Sequence, residues 1–69
     1  MNPQEIVSEL MHDIGSALVR LQELMNSDIS DGSKVYVDAM GSRVVDARTK
    51  LYTVCEREGL VPGDVWRND

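Results

Sequence analysis

The sequence predicts an all-α protein, a two-helix antiparallel hairpin that dimerises into a four-helix bundle. Three observations predict it. Val37, Met40, Val44, Ala47, Leu51 and Val54 alternate at spacings of three and four residues, the seam of a helix packed along another helix. A second apolar stripe of the same period precedes this one, and a run dense in turn formers separates the two. Finally, 69 residues make one domain, 1–69, near the size where a lone core barely offsets chain entropy. With a single cysteine and a single histidine, an internal disulfide and a zinc site are both out of reach. Association with a second copy is the remaining remedy, so a homodimer is expected.

The first helix is expected over about 3–26. Asn2 can cap it, Pro3 suits the first helical position, and Glu5 stands where a capping box places its carboxylate. Val7, Leu10, Ile14, Ala17, Leu21 and Leu24 form its seam, which Met11, Leu18 and Met25 widen by one column. Three apolar positions per heptad suit a helix buried in a bundle better than a two-stranded coil. Gly15 falls on the opposite face, and Val19 is a misfit on the polar side.

Residues 27–32 read as the turn, with several serines and aspartates competing to cap the second helix and Ile29 placed to pack beneath the turn. The second helix is expected from about 30 to 58, with Gly59 as its C-cap and Pro62 preventing continuation. Lys34-Val35-Tyr36-Val37-Asp38 is rich in strand formers and Gly41 interrupts the helical pattern, which makes a β-hairpin over 34–46 the alternative. The unbroken seam through Val54 favours helix. In the tail, 59–69, Trp66 is expected to fold back over one end of the bundle.

Charge narrows the partners. Seven basic against twelve acidic residues give a net charge of −5, all of it in residues 1–33, where Arg20 alone faces six acids. That balance favours a protein partner over bulk nucleic acid, since phosphate binding rests on clustered positive charge. No stretch approaches the roughly 18 apolar residues of a membrane span, and the start lacks the basic and apolar blocks of a secretory signal. A cytoplasmic location is expected.

Few constellations carry chemistry. Glu9 and His12 match the Glu-x-x-His step of di-iron bundles, but both fall on the polar face, where they cannot act as core ligands. Cys55 lies one column from the seam with no histidine spaced to activate it. No enzyme, metal or cofactor is expected. Val45, Arg48, Tyr52 and Cys55, at i, i+3, i+7 and i+10, share a face beside the seam. That face can pack on a second copy or serve as a recognition surface, since tyrosine and arginine are favoured interface anchors. Tyr36 and Trp66 are the other large anchors, so Tyr36, Val45, Arg48, Tyr52 and Trp66 are the candidate partner contacts. Arg43, Lys50 and Arg57, seven residues apart, form a basic ridge that offers a nucleic-acid alternative.

Two helices joined near residue 30, with a cysteine late in the second, resemble the Rop-type helical hairpin over residues 3–58. That resemblance implies an antiparallel four-helix homodimer that binds RNA. In that family the RNA-contacting face is basic and lies on the first helix, whereas here that helix carries only Arg20. In size, acidity and lack of a catalytic set, the chain also resembles small phage-encoded proteins that disable host proteins, such as anti-CRISPRs and quorum-sensing anti-activators. The latter resemblance implies a non-enzymatic inhibitor acting by occlusion, with a LuxR-type transcription regulator or a pilus-assembly ATPase as target. A small phage assembly protein is a third expectation, marked by open-ended self-association.

Overall fold

The computed structural model describes residues 2–62. Two helices run antiparallel, α1 over Pro3–Met25 and α2 over Asp31–Glu58. The 28 residues of α2 set the long dimension of the hairpin, 43 Å, as a rise of about 1.5 Å per residue requires.

Local chemistry explains each helix end. The Glu5 amide donates to Asn2 Oδ1 at 2.9 Å and the Asn2 amide donates to Glu5 Oε1 at 3.4 Å, a complete capping box ahead of Pro3. At the turn, the Ser27 hydroxyl donates to the Leu24 carbonyl at 2.6 Å, which satisfies one acceptor left over by the end of α1. Among the competing caps, Ser30 takes the N-cap of α2: its Oγ accepts from the Ser33 amide at 3.3 Å. Ile29, within the turn, is half-buried. Gly59 ends α2 in the left-handed region, at φ 69°, where a side chain would be strained. The Leu60 amide then donates to the Cys55 carbonyl at 2.8 Å, which turns the chain back toward α1.

Residues 34–46 are helical throughout, so the β-hairpin alternative is set aside. Val35 and Val37 are tolerable in a helix because the Ser30 cap and the contact along α1 outweigh a propensity difference of a few tenths of a kcal/mol.

The seam differs from the sequence expectation by one column on each helix. Val37, Leu51 and Cys55 are the buried residues of α2, with Gly41, Val44 and Arg48 half-buried between them. Met40, Ala47 and Val54 point away and are exposed. On α1 the inward row is Val7, Met11, Ile14, Leu18, Leu21 and Met25, whereas Leu10 and Leu24 are exposed. Each helix carries an apolar stripe wider than one seam. Within each stripe the three-four spacing fits two neighbouring columns equally, and the hairpin closes on one of them. Val7, Leu51 and Cys55 form the tightest cluster, with Met11, Ile14 and Leu60 packed against it.

Candidate interaction surface

Two faces of the hairpin flank the seam, and they differ in chemistry. The pseudo-dyad relating antiparallel helices stands perpendicular to the hairpin plane, so equivalent columns of α1 and α2 emerge on the same face. Leu18, Leu21, Gln22, Val37, Asp38, Gly41 and Val45 line one cleft between the helices, which places the columns of Gln22, Asp38 and Val45 together on what we term the back face. The columns of Leu10, Ala17 and Leu24 on α1, and of Met40, Ala47 and Val54 on α2, share the front face.

Gly41 explains the back cleft. It occupies a seam position, and a Cβ built there meets no atom within 4 Å. The missing side chain leaves a hollow walled by Leu18, Leu21, Met25 and Val37, with Val45 at its rim. One heptad along the same column, Tyr52 borders a second hollow with Thr49, Thr53, Cys55, Glu56, Leu60 and Pro62. Val45 and Tyr52 are 41% and 46% exposed, so each presents apolar area to solvent beside a depression. The Thr49 and Thr53 hydroxyls donate to the carbonyls of Val45 and Thr49 at 3.2 and 3.4 Å, so both are bonded within the helix.

The five candidate contacts do not form one patch. Val45 and Tyr52 share the back column. Arg48 is half-buried in the seam row, where a long stem can lie along the interface while its guanidinium reaches water. Tyr36 is 76% exposed. Sixteen residues at about 100° each place it about 160° round the helix from Tyr52, on the front side. Trp66 lies outside the described residues.

The front face is the feature that sequence reasoning assigned to the hairpin core. Ile6, Leu10, Leu24, Met40 and Val54 are all 40% exposed or more, and Ala17 and Ala47 lie among them. The signal for it was the width of the α1 stripe. Missing from the sequence was a means of telling which column pairs within the chain.

The basic ridge stands at the edge of this front face. Arg43, Lys50 and Arg57 are exposed. Lys50 is paired with Asp46 at 2.7 Å, an exposed i,i+4 contact of the kind worth only about 0.3–0.5 kcal/mol. On α1, Arg20 pairs with Glu23 at 2.8 Å. Arg43 and Arg57 have no ion-pair partner among the described residues. Glu9 and His12 are exposed, and no three His, Cys, Asp or Glu side chains converge among the described residues. Cys55 is buried, at 2% exposure, on the core side of the second hollow. Among the described residues no helix is long and apolar enough to cross a membrane.

No protein-family model matches the chain, and neither a curated protein nor a solved structure does.

Proposed function

We propose that this chain is a non-enzymatic protein-binding module, a homodimeric four-helix bundle that inhibits or modulates a larger protein by covering its working surface. The observation that carries the reading is the pairing of exposed anchors with hollows on the back face. Val45 rims the hollow left by Gly41, and Tyr52 rims the next one along. An exposed tyrosine beside a depression is the arrangement that concentrates binding energy at protein interfaces. Truncating one such anchor costs roughly 2 kcal/mol of binding, about thirtyfold in affinity. The likeness to small phage-encoded inhibitors makes a LuxR-type regulator or a pilus-assembly ATPase the first target to try.

The test is affinity capture from lysate with the wild-type chain and with a Val45→Ala/Tyr52→Ala variant, each with and without nuclease. The expected result is one stoichiometric protein that survives nuclease and is lost with the variant, while the variant keeps its helicity. Capture that ignores the variant would contradict the assignment of the back face.

The exposed Arg43, Lys50 and Arg57 column favours a second reading, a Rop-like RNA-binding dimer. That reading requires RNA in the eluate that disappears with nuclease, and binding that weakens steeply with salt.

A further inference from the structure

We infer that the front face is covered by a second copy of this chain, with α1 of each protomer packed against α2 of the other and both turns at the same end of the bundle. The inference rests on the reading that the protein is a homodimer, and adds to it the face used, the helix pairing and the direction.

Three observations carry it. The first is apolar area: Ile6, Leu10, Leu24, Met40 and Val54 stand exposed in adjoining columns on one side of a two-helix layer. A layer apolar on its outer face needs a second layer against it. The second is shape. Leu10, Ala17 and Leu24 on α1 and Met40, Ala47 and Val54 on α2 each run large, small, large at seven-residue intervals. Two copies can therefore meet small to small at the middle and large to large at the ends. That pattern suits either of the two-fold arrangements open to stacked hairpins, one with α1 on α2 and the other with each helix on its own counterpart.

Charge chooses between them. Outside the apolar columns, the α1 border carries Glu5, Glu9, Asp13 and Glu23 against Arg20, a net charge of −3. The α2 border carries Arg43, Lys50 and Arg57 against Asp46, a net charge of +2, or +1 with Glu58 at the end of the Met40 column. Setting each helix on its own counterpart would place an acidic border beside an acidic one and a basic ridge beside a basic one. Setting α1 on the partner subunit's α2 places opposite charges along both edges, and gives Arg43 and Arg57 the carboxylates they lack among the described residues. The two-fold axis of that arrangement runs parallel to the helices, which brings both turns to one end. The basic ridge then serves assembly and has no need of a phosphate backbone.

A distance measurement on the full chain decides the pairing. With Cys55→Ala as background, a spin label is placed at Asp28→Cys in the turn or at Glu58→Cys at the other end of α2. The inferred bundle holds each pair of equivalent labels within about 25 Å, since helix axes lie about 10 Å apart. The alternative separates them by about 40 Å, the length of α2 at about 1.5 Å per residue. A dimer with the long distance at both sites overturns the pairing and leaves the homodimer standing. A chain that stays monomeric at every concentration overturns both. Charge reversal gives a second readout with Cys55 intact. Arg43→Glu/Arg57→Glu is expected to weaken the dimer at least about tenfold at low salt, and adding Glu9→Lys/Glu23→Lys to the same chain, the carboxylates level with them when Ala17 meets Ala47, is expected to restore it. An unchanged dimer in the first variant would refute the pairing.

Discussion

Single residues of this hairpin act through what their backbone or their missing side chain allows, and its glycines show this with opposite signs. Gly59 holds φ 69° at the end of α2, where its amide donates to the Cys55 carbonyl. Replacing it with alanine forces a Cβ into the left-handed region and is expected to cost about 1 kcal/mol, read as a lower midpoint in chemical denaturation. Gly41 lies inside α2 with open space around it. Gly41→Ala is expected to raise stability by about 0.5–1 kcal/mol in the same assay, because alanine is the better helix former and nothing resists its methyl group. Gly41→Leu fills the back cleft. It is expected to abolish capture of the target while leaving the dimer intact, by pull-down alongside size-exclusion chromatography. The sequence marked Gly41 only as an interruption. That the interruption is a cavity became visible once its seam position was known.

At the scale of the elements, caps and boundaries were legible because their signals are local. Asn2, Pro3 and Glu5 specify one helix start through bonds among themselves, and Gly59 specifies one helix end. The seam was legible only to within a column. Leu10 and Met11, or Val54 and Cys55, are neighbours in sequence, and both members of each pair continue an apolar row. Which member turns inward depends on the opposite helix, a tertiary fact that a one-dimensional period does not carry. The site suffered most from this. Arg48 rolled into the seam row, Cys55 into the core, and Tyr36 and Tyr52 separated onto opposite sides of α2, so that half of an expected stripe became packing. The observed seam predicts unequal costs. Leu51→Ala, in the tightest cluster, is expected to lose about 2–4 kcal/mol at any protein concentration. Met40→Ala and Val54→Ala, on the front face, are expected to lose stability only where the wild type is dimeric, so that their effect on the melting temperature shrinks on dilution.

For the whole molecule, the balance between a small core and a large exposed apolar area dominates. Among the described residues only Val7, Val37, Leu51 and Cys55 are buried, while aliphatic side chains stand exposed along both helices. Four buried side chains among the described residues make a small core for a chain of this length, and in the proposed dimer a second copy on the front face would supply the missing layer. In that proposed dimer the back face stays open on both protomers, so one dimer would offer two equivalent surfaces to a target. The most direct test of this account is the mass of the purified chain by sedimentation equilibrium over a range of concentrations, with helicity followed in parallel. A closed dimer is expected at high concentration, with a coupled loss of dimer and helicity on dilution. A fully helical monomer at every concentration, or assembly that grows without closing at two copies, would contradict it.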